Sequence, residues 1–288
     1  MRVLVVANPV AGRGRGPAGA HRAVQRLKEA GWQVDLFVTR APGEAGRMAA
    51  ECDHDRVLVC GGDGTVGDVA AALAHRATPL GILPSGRGND FAAVLGIPVD
   101  RDRAVDVFLS GVVRTVDLGR ANDRLFCTVA GIGLDAEVNR RVQGWPWRLL
   151  GRWSYTVGVV AYLPGFRLPT MTVTGPFGRV ERRGYLVAVS NGGRYGGGIR
   201  IAPDSSPDDG LLDVCLVGEV SRLELLRLLP TAYAGGHVLH PAVTMYRGDE
   251  IVVETDRPMP LVADGESLGQ TPVRFTVAPA ALRVVAPQ

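Results

Sequence analysis

The run Gly61-Gly62-Asp63-Gly64-Thr65 combines what a polyphosphate asks of a protein. Its glycines let main-chain N–H groups approach phosphate oxygens, Asp63 can act through Mg²⁺ or its waters, and Thr65 can donate its hydroxyl. The run follows the apolar stretch Arg56-Val57-Leu58-Val59-Cys60 and precedes a helical pattern, so the positive end of a helix would face the same anion. A lone turn of this kind could equally be a simple helix cap. However, a second glycine turn, Pro84-Ser85-Gly86-Arg87-Gly88-Asn89-Asp90, also follows an apolar run and leads into a helix capped by Asn89 or Asp90. Asn8-Pro9-Val10-Ala11-Gly12 supplies a third loop at the same sheet edge, where open α/β sheets bind ligands.

Other chemistries lack their residues. Lys28 is the only lysine and sits in neither a Walker-type phosphate loop nor a kinase strand, which excludes both schemes. Gly14, Gly16 and Gly19 match the spacing of a dinucleotide fingerprint, with Asp35 at the distance of a ribose-binding acid. Residues 8–13 separate that match from the strand end, so the tight turn would fall in the wrong place. Cys52, Cys60, Cys127 and Cys215 form no C-x-x-C pair and suit a reducing cytoplasm. His21, His54, His75, His237 and His240 are dispersed, no serine or cysteine stands in a nucleophile elbow, and surface or satisfied core roles are expected for all five histidines. A net charge of +3 is too mild for a nucleic-acid footprint. No stretch has the ~18 apolar residues of a membrane span, and the apolar N-terminus is too short and wrongly flanked for a signal peptide.

The elements that must position the loops alternate through the first 120 residues. Strands are expected at 3–7, 33–38, 57–60, 79–83 and 112–118, with helices from Pro17 to Gly31, 45–51 and 66–75. This alternation predicts an α/β N-terminal domain over 1–120 with a mostly parallel, doubly wound sheet. Beyond it, short runs at 126–130, 171–174, 185–190, 211–217, 251–254 and 273–277 predict a mostly antiparallel all-β sandwich over 121–278. Helices at 134–142 and 222–233 and an apolar segment at 147–163 interrupt it, and residues 279–288 could return to the first domain. The turn at 202–210 gathers Asp204, Asp208 and Asp209, which suits a hard cation or plain solvation. Ala263-Asp264-Gly265-Glu266 reads as a hairpin turn.

As an ordered set, these loops together with Ala130-Gly131-Ile132-Gly133-Leu134-Asp135-Ala136-Glu137-Val138, the stretch from Gly196 to Val214 and Asp264-Gly265-Glu266 resemble the diacylglycerol kinase catalytic family. The resemblance spans essentially the whole chain and is closest to the soluble bacterial lipid kinases, relatives of sphingosine and ceramide kinases. It implies an N-terminal domain like those of NAD kinases and phosphofructokinases, an all-β C-terminal domain and a nucleotide cleft between them. ATP would be bound by Asn8, Pro9, Gly12, Thr39, Gly61, Gly62, Asp63, Gly64, Thr65 and Asp68, with Arg87, Asn89 and Asp90 from the second glycine turn. Asp63 and Asp117 would belong to the Mg²⁺ and water network at the phosphates, and Glu266 would be the base. A structural Mg²⁺ would be held by Asp209 with main-chain oxygens of Ser206 and Leu211. Family members commonly carry threonine where this chain has Arg87, whose guanidinium could bind phosphate or alter preference for nucleotide or acceptor.

The reading is therefore an ATP-dependent lipid kinase that converts diacylglycerol to phosphatidic acid. Sphingoid bases, ceramide and phosphatidylglycerol are alternative acceptors. NAD kinase is the runner-up enzyme, a lipid- or nucleotide-binding regulator the non-enzymatic reading, and an oxidoreductase a remote third. The expected partner is a lipid taken from a membrane surface by a cytoplasmic, peripherally associated protein, as a monomer or homodimer and without nucleic acid. Trp145 to Trp153 interleaves aromatic and basic residues and is a candidate membrane contact, although tryptophans beside an apolar helix usually fill a core.

Overall fold

The computed structural model describes residues 1–14, 16–142 and 154–288. They divide into two units, the first comprising Met1–Asp117 with Pro279–Gln288 and the second Leu118–Ala278. The candidate membrane contact at 145–153 lies outside the described residues.

In the first unit, β1 (Arg2–Ala7) is the centre of a parallel sheet with β2 (Gln33–Val38) on one side and β3 (Arg56–Gly61) on the other, Val5 lying opposite Leu36 and Leu58. β4 (Leu80–Pro84) continues the sheet in parallel, with Leu58 opposite Gly81. Val3, Val5, Val57, Leu58, Val59 and Leu80 are wholly buried, as the strands of a sheet covered on both faces must be. The covering helices form two pairs: α1 (Gly16–Glu29) packs with α5 (Arg101–Ser110), and α2 (Glu44–Glu51) with α3 (Asp63–Leu73). On α3, the buried residues Val66, Val69, Ala70 and Leu73 recur at the spacing of one helix face. α4 (Asp90–Val94) is a short helix after β4.

Several elements differ from expectation. Helix α5 was not expected, although Asp100 caps it by accepting the N–H of Arg103 at 2.9 Å. The strand expected at 112–118 belongs to β5 (Val112–Ala121), which pairs with the last strand and with β6 (Arg124–Phe126) and does not extend the β4 edge. That edge is taken by the end of the chain. β17 (Val273–Ala286) runs on beyond the strand expected at 273–277, and its Val284 lies parallel to Leu80. Ala280 within it has φ 50°, a left-handed conformation unusual for a side-chain-bearing residue, and Asp117 Oδ1 accepts its N–H at 2.7 Å.

The second unit is antiparallel throughout its paired strands. β7 (Val129–Gly133), β8 (Thr170–Gly175) and β12 (Leu212–Gly218) all pair with the long β9 (Gly178–Ser190). β13 (Val243–Gly248) follows β12, β14 (Glu250–Thr255) joins β8 to β17, and β15 (Pro260–Ala263) joins β7 to β16 (Glu266–Gln270). Alternate residues serve two cores. Val187 and Val189 join the one shared with Phe275 and Met171, while Ala188 joins another with residues of α6 (Leu134–Val142), α7 (Ser154–Tyr162) and α8 (Arg222–Thr231). β10 (Arg194–Tyr195) and β11 (Ile199–Arg200) form a small separate hairpin. No helix among the described residues is long and apolar enough to cross a membrane.

Candidate functional site

Three loops of the first unit are tied together by side chains. Asn8 donates from Nδ2 to Thr65 Oγ1 at 2.8 Å while its Oδ1 accepts the N–H of Val10, so the loop after β1 is fastened to the first turn of α3. Asp63 fastens the next pair: its Oδ2 accepts the N–H of Asn89 at 2.8 Å and its Oδ1 that of Asp90 at 2.7 Å. Asn89, at φ 54°, in turn accepts the N–H of Gly86 at 2.7 Å. A carboxylate at the start of α3 thus holds the entry to α4, in charge-assisted bonds stronger than neutral ones.

The backbones of these loops approach too closely for side chains. A Cβ on Gly86 would lie 2.6 Å from Gly62 Cα, and one on Gly88 would lie 2.8 Å from carboxylate oxygens of both Asp63 and Asp90. Arg87 sits between these two glycines and is exposed. Thr39 is buried beside the first loop, donating its N–H to the Ala7 carbonyl at 2.9 Å. Asp68 lies further along α3, its carbonyl against Gly46 of α2. Gly12 has φ 60°. The arrangement brings Asn8, Pro9, Thr39, Gly61 to Thr65 and Asn89–Asp90 to one end of the parallel strands. There the first-turn N–H groups of the eleven-residue helix α3 lack intrahelical acceptors and favour an anion.

Asp35 is paired with a histidine just before β3. Its Oδ2 lies 2.8 Å from His54 Nε2, and that hydrogen bond holds its pKa below the ordinary carboxylate value.

In the second unit, Glu266 opens β16 and is exposed. Asp264 and Gly265 before it have φ 48° and 86°, the mirror-image turn that a two-residue hairpin requires. Asp264 is more than a turn residue. Its carboxylate accepts the N–H of Cys127 at 2.6 Å and both the N–H and hydroxyl of Thr128, at 3.0 and 2.5 Å. Asn191 braces the same segment, donating to the Cys127 carbonyl at 3.1 Å.

The acidic turn is partly engaged. Asp209 Oδ1 accepts the N–H of Leu211 at 3.0 Å, Ser206 donates to Asp208, and Arg247 stands 3.6 Å from Asp209 Oδ2 while forking onto Asp213. Among the described residues no three His, Cys, Asp or Glu side chains cluster as metal ligands. One carboxylate with carbonyl oxygens remains compatible with Mg²⁺, which keeps several waters.

Sequence reasoning missed an apolar cavity of about 70 Å³ in the second unit. Leu134 and Asp135 of α6, Val159 of α7, Leu225 and Leu228 of α8, and residues of β9, β11 and β12 line it with His237. His237 is 2% exposed and departs from the satisfied core role expected of it. Its Nε2 lies 3.1 Å from the Ile201 carbonyl and 3.8 Å from Cys215 Sγ, whereas Nδ1 is buried without a hydrogen-bond partner among the described residues. Burial lowers the imidazole pKa and pushes the Cys215 thiol up to about 12, so neither group is charged at neutral pH.

Comparison with known proteins agrees over both units. Residues 2–121 match the diacylglycerol kinase catalytic domain, and residues 128–286 match the YegS C-terminal NAD kinase beta sandwich-like domain. A diacylglycerol kinase of Mycobacterium tuberculosis (strain ATCC 25618 / H37Rv) is 35% identical over 297 residues, covering 100% of this chain and 96% of that protein. One from Bacillus subtilis (strain 168) is 30% identical over 296 residues, covering 100% and 97%. The crystal structure of a diacylglycerol kinase from Bacillus anthracis str. Sterne shares the fold, with a TM-score of 0.78 at 23% identity over 99% of this chain and 96% of that one.

Proposed function

The chain belongs to the diacylglycerol kinase family and is a lipid kinase, and from that premise we propose that it transfers the γ-phosphate of ATP to diacylglycerol, giving phosphatidic acid. The names of the relatives that match this chain end to end support the acceptor. The observation that carries a lipid in preference to a second nucleotide is the cavity of the second unit, whose walls are mostly aliphatic.

Phosphoryl transfer asks the protein mainly for positioning and charge neutralisation. The donor half of the reaction is assigned to the first unit. Asn8, Pro9, Gly12, Thr39, Gly61 to Thr65, Asp68, Asn89 and Asp90 hold the nucleotide, and Arg87 adds an exposed guanidinium. Mg²⁺ enters with ATP as part of the substrate, with Asp63 and Asp117 ordering its waters. In the second unit, Glu266 accepts the proton of the lipid hydroxyl as the oxygen attacks the γ-phosphorus and ADP leaves.

The close approach of Gly86 to Gly62 makes Gly86→Ala informative. The added methyl meets backbone, so both loops must shift, and KM for ATP is expected to rise about tenfold in a protein that still folds. A steady-state ATP titration with a parallel melting curve checks this.

A structural Mg²⁺ at Asp209, with main-chain oxygens of Ser206 and Leu211, is part of the proposal. Bound only by the native state, it should make chelation lower Tm by about 2–4 °C, with recovery on adding Mg²⁺. A Tm indifferent to both removes this ion from the scheme.

The reading as a whole is tested with labelled ATP against vesicles containing diacylglycerol, monoacylglycerol, ceramide, sphingosine or phosphatidylglycerol, and against NAD in solution. Phosphatidic acid as the main product, with protein pelleting on the vesicles, supports a cytoplasmic enzyme working at a membrane surface. Labelled NADP as the main product would overturn it.

A further inference from the structure

Helix α7 is apolar on two opposite sides, and the run from Ser154 to Phe166 holds no charged residue. Val159 and, just past the helix, Leu163 are buried in a core of the second unit, and Val159 also lines the cavity. On the opposite side Val157, Val160 and Ala161 stand at the i, i+3 and i+4 spacing of one helix face. All three are exposed, Val157 at 40% and Val160 at 51%. A surface helix ordinarily turns polar or charged residues to water on that side, and one that is apolar all round belongs in a core or at a membrane. The inner side of α7 has its core, and the outer side has no cover among the described residues. Basic side chains lie alongside. α6 packs against α7, and near its end Arg141 holds its guanidinium 5.1 Å from the centre of the Tyr162 ring. Arg140 and Arg141 share a single carboxylate, Glu137, which leaves the group net positive, and Arg167 is exposed just beyond the helix.

We propose that α7 docks the second unit on a membrane, with Val157, Val160 and Ala161 entering the boundary between headgroups and acyl chains and the neighbouring arginines meeting anionic headgroups. The inference rests on the lipid-kinase reading and deepens it by naming the surface through which the acceptor arrives, one helix away from the apolar cavity. A bilayer fits this face better than a second copy of the chain. Three small side chains, two of them only about half exposed, fall far short of the ~800 Å² per partner that a stable dimer buries. Shallow insertion needs no such area, because each basic residue near an anionic membrane adds about fivefold to binding. The mid-helix backbone is hydrogen-bonded within itself, so only uncharged side chains leave water.

The experiment measures co-sedimentation of the full chain with vesicles of phosphatidylcholine alone and of phosphatidylcholine mixed with phosphatidylserine. Wild type, Val160→Asp, Val160→Ser, Val160→Trp and Val99→Asp are compared, with Tm and oligomeric state recorded for each. Val99 is exposed in the first unit, so its change to aspartate controls for net charge. Wild type should bind the mixed vesicles at least about fivefold more tightly than phosphatidylcholine. Val160→Asp should weaken that binding about tenfold and Val160→Ser severalfold, whereas Val160→Trp should strengthen it and Val99→Asp leave it within about twofold. Turnover is then measured on dioleoylglycerol in the mixed vesicles and on water-soluble dihexanoylglycerol. Val160→Asp should lose the first in step with binding and keep the second within about twofold, a split that a merely structural role would not produce.

Unchanged vesicle binding by a folded Val160→Asp protein overturns the proposal. An equal loss in Val99→Asp also overturns it, since net charge alone would then account for binding. A wild-type dimer that Val160→Asp converts to monomer assigns the face to a second copy and overturns it as well. If Val160→Asp fails to fold, Val160→Ser and Val160→Trp decide, and binding that neither changes overturns it. Absence of turnover on both acceptors overturns the lipid-kinase reading itself, while the binding series, which needs no turnover, still decides the docking face.

Discussion

Glu266→Gln should lower kcat by about 10²–10⁴-fold, the usual contribution of a positioned general base, while leaving KM for ATP within about twofold. Glutamine keeps the size of the side chain and one acceptor oxygen, and loses the negative charge and with it the capacity to take a proton. The position favours a clean result. Glu266 is exposed at the first residue of β16, so the change buries no unpaired group, and the turn before it is fixed independently by the three bonds of Asp264 to Cys127 and Thr128. Single-turnover assays with labelled ATP measure the chemical step, and an unchanged Tm shows that the fold is intact. Wild-type turnover in a folded Glu266→Gln protein would remove the base assignment. Asp264→Ala is the contrasting control. It should lower Tm, because two backbone N–H groups and a hydroxyl lose their acceptor.

Why some of this was legible in the sequence and some was not follows from the range of the interactions involved. The glycine loops were legible because their demands are local: a strand end, a tight backbone and a helix start fall within a few residues of Gly62 and of Gly86. The ties between them were not, since Asp63 meets Asn89 and Asp90 across 26 and 27 residues, and nothing in the composition of either loop announces the pairing. Strand β17 was read only as far as 277 because Pro279 and Ala280 break its pattern, and the compensation comes from Asp117, 163 residues from Ala280. Helix α5 was a plain omission, as Asp100 carries a recognisable cap. The cavity had no linear signature, because its lining comes from α6, α7, α8, four strands and His237. A lone histidine in an apolar context is usually satisfied, and only the folded state shows that Nδ1 of this one has no partner among the described residues.

The double role proposed for Asp63 gives the other large effect and a way to divide it. Each carboxylate oxygen accepts a main-chain N–H from the start of α4, yet each keeps a further lone pair for a cation or its waters. Asp63→Ala removes the charge and strands both N–H donors. It should cost about 1–3 kcal/mol of stability for the unmet donors and about 10²–10³-fold in kcat/KM for ATP. Asp63→Asn retains one acceptor oxygen at nearly the same place, so its Tm should fall between those of wild type and Asp63→Ala. If the negative charge serves the metal–phosphate centre, Asp63→Asn will nonetheless be as inactive as Asp63→Ala, and raising Mg²⁺ will not rescue it. If Asp63 serves only to fasten the loops, activity will track Tm across the three proteins. Thermal unfolding and an ATP titration on one set of preparations separate the cases, because stability reads the two hydrogen bonds and turnover reads the charge.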